Sequence, residues 1–163
     1  MIETELAYLA GIIDGEGTLG VSKHKKERGH HYPYLTIANT SFALIQLVHK
    51  LIGEGSVYEY KSRQPKWKAS YEFALRGNGL RRFLPLIQEF LFLKRRQAEL
   101  VSEMLRLTNR KDPTYVYKDP KRLERREEII EELHALNLKG KQINKEEKTW
   151  RLDGPQQAHL QTA

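Results

Sequence analysis

Two carboxylates stand at the end of an apolar run in LAYLAGIIDGEGTLGV, residues 6–21. Asp14 and Glu16 are separated by Gly15 and followed by Gly17. Leu6, Leu9 and Ile13 recur at helical spacing, and the glycines let the helix stop there. The acids therefore sit at the C-terminal end of a helix, where the macrodipole disfavours each by about 0.3–1 kcal/mol. Two acids at that end of a helix in a basic chain require a cation. A calcium loop starting at Asp14 is rejected: its twelfth position is Lys25, where a bidentate glutamate is needed. One carboxylate and the neighbouring Gly15 carbonyl form a sparse all-oxygen site. That suits Mg²⁺, which keeps several waters and takes further ligands from phosphate. The chemistry suggested is phosphodiester hydrolysis by a metal-activated water. One such site is thin for that chemistry. Ala7, Ala10, Gly11 and Asp14 share a second face of the helix, small enough for another helix to approach closely. Two copies meeting there would bring two Glu16 side chains to the base of a groove.

The elements that must hold these residues follow from periodicity. Thr18 to Lys26 alternates, with Leu19 and Val21 on one side, and RGHHYPYLTIANT continues as a second strand with Leu35 and Ile37 inward. Ser41 to Ile52 is an amphipathic helix with Leu44, Val48 and Leu51 on one stripe, closed by Gly53. Ser56–Lys61 and Lys68–Leu75 form a second hairpin, with Val57, Tyr71, Phe73 and Leu75 toward the core. Leu80, Phe83, Leu84 and Ile87 mark a helix after GNG. FLFLKRRQAELVSEMLRL marks another, with Ala98, Val101 and Leu105 on one side. Residues 108–118 read as a linker. Asp119-Pro120 opens a charged helix over Lys121 to Leu138, and the tail from Lys141 reads as flexible. The order gives an α+β domain with one antiparallel sheet and helices on one face.

The chain has 163 residues, a formal net charge of +7 and a pI near 9.5, which favours a polyanionic partner. It has no cysteine, which excludes disulfides, thiolate metal sites and a cysteine nucleophile. No Ser-His-Asp set is apparent. The N-terminus lacks a basic signal-peptide region, and no run approaches the roughly 20 apolar residues of a membrane span. The expectation is an intracellular protein with no membrane partner. The sheet face opposite the core carries Ser22, His24, Lys26, Arg28, His30, Tyr32, Tyr34 and Thr36 on the first hairpin. The second adds Tyr58, Tyr60, Ser70, Glu72 and Arg76. Polar, basic and aromatic side chains at two-residue spacing suit the floor of a nucleic-acid groove. Lys61, Arg63, Lys66, Lys68, Lys139 and Lys141 are expected phosphate contacts. His30 and His31 are adjacent on a strand and point to opposite faces, so they make no metal pair; His31 reads as structural.

LAGIIDGEG, Leu9 to Gly17, resembles the nine-residue signature of the LAGLIDADG homing endonucleases: Leu-Ala-Gly, two apolar residues, acid, small, acid, glycine. The resemblance covers residues 5–107 well, with FLFLKRRQAELV and ALNLKGK resembling later segments of single-motif members. It implies an αββαββα fold with a saddle-shaped antiparallel sheet. The expected organisation is an endonuclease core over 1–107, a helical extension of the same domain over 108–140 that contacts DNA backbone, and a tail over 141–163. It implies a homodimer that cuts both strands of a long, near-palindromic DNA duplex and promotes mobility of a host intron. It implies Mg²⁺ as cofactor, with Mn²⁺ substituting and Ca²⁺ supporting binding without cleavage. Glu16 and the Gly15 carbonyl would be the metal ligands, and Glu16 and Lys94 catalytic, Lys94 near the scissile phosphate. Asn39 would help hold the active-site water. Asp14 would cap the partner helix and, with Gln97 and Arg95, shape the site. Ala7, Ala10, Gly11 and Asp14 would form the dimer interface. The alternatives are an intron-encoded RNA-splicing maturase, with host intron RNA as partner, and a DNA-binding relative that does not cleave.

Overall fold

Alternating apolar residues fix one face of each strand against the helices, and that alternation sets the sheet register. The computed structural model describes residues 1–23, 31–61, 68–109 and 119–138. Helix α1 (Glu3–Glu16) leads into β1 (Gly17–Lys23) and β2 (His31–Asn39). Helix α2 (Phe42–Ile52) then precedes β3 (Ser56–Tyr60) and β4 (Ser70–Arg76). Helix α3 (Gly77–Ile87), a 3-10 turn at Gln88–Phe90, α4 (Arg95–Leu107) and α5 (Pro120–Asn137) complete the described chain. The four strands form one antiparallel sheet in the order β1-β2-β4-β3. This is the expected α+β, αββαββα arrangement, with the helices on one side of the sheet. No helix among the described residues is long and apolar enough to cross a membrane.

The core lies between sheet and helices. Leu19, Leu35, Ile37, Phe73 and Leu75 from the strands meet Leu9 and Ile13 of α1, Ile45 and Val48 of α2, and Leu80, Phe83, Leu84 and Ile87 of α3. Leu44 and Leu51, expected on the core stripe of α2, are only half-buried, while Ile45 is fully buried. The Ser41 hydroxyl caps α2 by accepting from the Leu44 N–H, and Gly53 closes it in the left-handed conformation at φ 80°.

The fourth helix starts later than its sequence suggests. The apolar run from Phe90 reads as helix, yet α4 begins at Arg95. Four hydrophobic residues in a row cannot all face one core, and Leu91 alone among them is buried. Phe92 and Leu93 project outward at 87% and 66% exposure.

Helix α5 belongs to the same core. Ile129 and Leu133 are buried in it, and the Asn137 amide donates to the Leu19 carbonyl of β1 at 2.9 Å. The buried Arg126 donates to the Leu107 carbonyl at the end of α4. Arg96 pairs with Glu132, and Arg125 forks onto both oxygens of Glu103 at 2.7 and 2.8 Å. The hydrogen bond from Arg125 holds the Glu103 carboxyl below its ordinary value. A carboxylate favoured by folding adds stability above its ordinary pKa and loses it as pH falls through the lowered value. The docking of α5 on α4 is therefore expected to weaken on acidification. The stability gap between the wild type and Glu103→Gln should be full at about pH 7 and shrink as the pH falls below the ordinary carboxylate range. A gap of equal size throughout would contradict this role for the pair.

Candidate active site and nucleic-acid face

The site begins where α1 stops. Gly17 follows the last helical residue, and its N–H donates to the Ile13 carbonyl. A Cβ there would lie 2.7 Å from that carbonyl oxygen, closer than real contacts allow, so the tight exit into β1 needs glycine. The two acids of the turn then have different fates.

Asp14 is half-buried, and its carboxylate accepts from the Phe92 N–H at 2.8 Å and the Lys94 N–H at 2.9 Å. Lys94 is the N-cap residue of α4, whose amide the helix leaves unpaired, and Phe92 lies two residues before it. The acid at the wrong end of α1 is thus at the right end of α4, where the macrodipole favours it. The Lys94 ammonium returns a hydrogen bond to the Asp14 carbonyl. The resemblance implied that Asp14 caps a partner's helix; the structure places both carboxylate oxygens on amides of its own chain.

Glu16 is exposed, and no hydrogen bond engages its carboxylate among the described residues. Its charge acts on Lys94. Burial lowers the Lys94 pKa, while the charges of Asp14 and Glu16 act to raise it. A carboxylate with free oxygens, a helix-end carbonyl at Gly15 and a half-buried ammonium make a set of hard oxygen donors beside one fixed positive charge. Such donors fit a divalent cation, with Glu16 and the Gly15 carbonyl as its protein ligands. Among the described residues no three His, Asp or Glu side chains converge. One chain therefore offers a single carboxylate, and further ligands must come from elsewhere.

The other expected site residues divide. Gln97 is buried three residues beyond Lys94, on the core-facing side of α4. Arg95 turns back on the preceding segment, donating to the Leu91 carbonyl at 3.2 Å and the Glu89 carbonyl at 2.8 Å. Its guanidinium is thus taken up by those carbonyls. The Asn39 side-chain oxygen accepts from the Ser41 N–H at 2.8 Å and forms the turn into α2. Asn39 also shares strand parity with the inward Leu35 and Ile37, whereas Ala38 takes the outward place. That parity was readable from the alternation.

The outward face is built in rows by the register. Ser22 pairs with Tyr32; Gly20, Tyr34 and Arg76 form the next row; then Thr18, Thr36, Ala74 and Ser56. Ala38, Glu72 and Tyr58 follow, and Tyr60 pairs with Ser70. Ser22, Tyr32, Tyr34, Thr36, Tyr58, Tyr60, Ser70, Glu72 and Arg76 thus share one face, as expected. Thr18, Gly20, Ala38, Ser56 and Ala74 join them, which strict alternation also implies. A Cβ on Gly20 would meet the Tyr34 hydroxyl at 2.7 Å, so the Tyr34 ring lies across the glycine. Lys68 lies before β4 and is exposed. His24, Lys26, Arg28, His30, Arg63, Lys66, Lys139 and Lys141 lie outside the described residues. The buried His31 has its expected inward place.

The small-residue face of α1 also needs revision. Ala10 is 2% exposed, inside the chain's own core, and Asp14 is engaged as described. Ala7 and Gly11 are exposed, in line with Thr4, Tyr8 and Gly15. A Cβ at Gly11 or Gly15 would meet nothing within 4 Å, so this chain's own packing does not require glycine at either place. Helix-interior glycine costs roughly 0.5–1 kcal/mol against alanine.

No family model and no curated protein matches the chain. Solved structures match its fold. The homing endonuclease I-CvuI, in complex with DNA that is not cleaved in the presence of Mg, gives a TM-score of 0.68 over 92% of this chain and 95% of that one, at 23% identity. The archaeal intron-encoded homing endonuclease I-Vdi141I, complexed with DNA, gives 0.67 over 85% and 87%, at 22% identity. The LAGLIDADG homing endonuclease I-LtrWI, bound to target DNA, gives 0.64 over 100% of this chain but 55% of that one, at 20% identity. The fold of this chain is the LAGLIDADG homing-endonuclease fold.

Removing the Asp14 carboxylate strands two amides. Asp14→Ala is expected to destabilise the chain by about 1–2 kcal/mol in urea unfolding. Asp14→Asn, which keeps one acceptor oxygen, should lose less. Unchanged stability in Asp14→Ala would show that the two amides do not depend on it.

Proposed function

We propose that this chain is a site-specific DNA endonuclease of the LAGLIDADG homing type, working as a homodimer on a long, near-palindromic duplex. The observation that carries the proposal is an exposed Glu16, with no hydrogen bond to its carboxylate among the described residues, whose charge acts on the half-buried Lys94 at one end of a sheet face built from polar and aromatic side chains. The signature LAGIIDGEG supplies that arrangement, and the fold supports it.

Two copies of the chain complete the site. The exposed Ala7, Gly11 and Gly15 leave room for a second helix, and the close approach would explain the glycines. Tyr8 on the same helix and Phe92, whose amide meets Asp14, are exposed and offer apolar area to bury. The match to about half of I-LtrWI is consistent with a unit of two such folds. A divalent cation at Glu16 and the Gly15 carbonyl would polarise a phosphate and lower the pKa of a bound water. The chain's own residues do the rest. The Asp14 clamp fixes Lys94 relative to Glu16. The Lys94 ammonium then stabilises charge that develops on the phosphate. Basic side chains, Lys61 and Lys68 among the described ones, position the duplex without reading it. Intron mobility is the biological outcome such cutting would serve.

Glu16→Gln should abolish Mg²⁺-dependent cutting while leaving duplex binding intact; retained cutting would remove Glu16 from the reaction. Gly11→Leu should turn a dimer into a monomer by sedimentation, and a dimer that persists would place the interface elsewhere. Affinity should fall steeply between low and high salt as counterions are released on binding. A flat response would argue against phosphate contacts.

A further inference from the structure

Glu72 is the one acid on the outward sheet face among the described residues. It stands between Ala38 on β2 and Tyr58 on β3, its direct partners in the register. It is half-buried, yet no hydrogen bond or ion pair holds its carboxylate among the described residues. Arg76, on the same face of the same strand, is four residues away, roughly 13 Å along an extended chain. Ala74 lies between them. On a face that meets a polyanion, a carboxylate is repelled unless it finds a donor.

We propose that Glu72 fixes the base at one position of each DNA half-site by accepting a hydrogen bond from the exocyclic amine of cytosine. The proposal rests on the DNA-binding reading above and adds the base preference. A carboxylate only accepts. In the major groove cytosine presents its N4 amine, while guanine and thymine present acceptors in the corresponding places. Adenine offers its N6 amine beside the N7 acceptor, which a carboxylate meets unfavourably. The expected order is cytosine, then adenine, then guanine and thymine. Ala38 on one side leaves the carboxylate room to reach a base edge, and among the described residues no cation pairs with it. Glu72 also acts against wrong sequences, since an unmatched duplex leaves the carboxylate facing acceptors.

The test is selection from a randomised duplex library in Ca²⁺, with bound sequences read out for the wild type, Glu72→Gln and Glu72→Ala. The wild type should show cytosine at one position per half-site, favoured by roughly 5- to 150-fold over guanine and thymine. Glu72→Gln should move that preference to adenine, because a carboxamide donates to N7 and accepts from N6. Glu72→Ala should flatten it, with all other positions unchanged in both variants. Variants that select the wild-type sequence at every position would overturn the assignment and leave the endonuclease reading standing. A uniform loss of affinity with the same consensus would make Glu72 structural and overturn it too. A wild type that selects no duplex would overturn both.

Discussion

The site depends on one carboxylate lying between two helix ends. Asp14 lies in the last turn of α1 and at the same time receives the N-cap amide of α4 and the Phe92 amide just before it. The energetic problem of an acid at a helix C-terminus is eased by the start of the second helix. The clamp joins residues 78 and 80 positions apart in sequence. It sets Lys94 beside the end of α1, and the Lys94 ammonium closes the loop on the Asp14 carbonyl. With Asp14 engaged, Glu16 is the acid left with open oxygens. One acid builds the site and the other is available to do chemistry.

The sheet supplies the second constraint. Its inner face is committed to the core, so the outer face can vary without unfolding the chain. The register turns that face into ordered rows of side chains, spaced along each strand by about 6.6–6.8 Å, or two base-pair steps of DNA. Glycine at position 20 lets Tyr34 lie flat across its neighbour instead of standing in the groove. A scaffold of this kind separates stability from recognition.

Much of this was legible in the sequence, for physical reasons. Alternation gave the strands and their faces, because a two-residue period admits only two orientations. The signature gave the helix end and its acids. What sequence could not show were contacts between distant segments. Asp14 could be placed at a helix end, but its partners at Phe92 and Lys94 needed the fold. Ala10 looked like interface because it is small, yet its position on α1 turns it into the core. Arg95 could be placed next to Lys94, but its hydrogen bonds to the Leu91 and Glu89 carbonyls needed the fold. Asn39 has the inward parity of Leu35 and Ile37, which the alternation already implies, and Ala38 one residue earlier holds the outward place. Helix α4 starts only after FLFL because four consecutive apolar residues cannot all face one core, and Leu91 alone of them is buried.

The measurement that tests the central claim most directly is cleavage of a randomised DNA duplex library in Mg²⁺, with the new ends sequenced. The account predicts cuts on both strands at a fixed offset around a near-palindromic consensus, as two copies of Glu16 at a two-fold axis would give. A library left uncut, or ends scattered without a consensus, would contradict it.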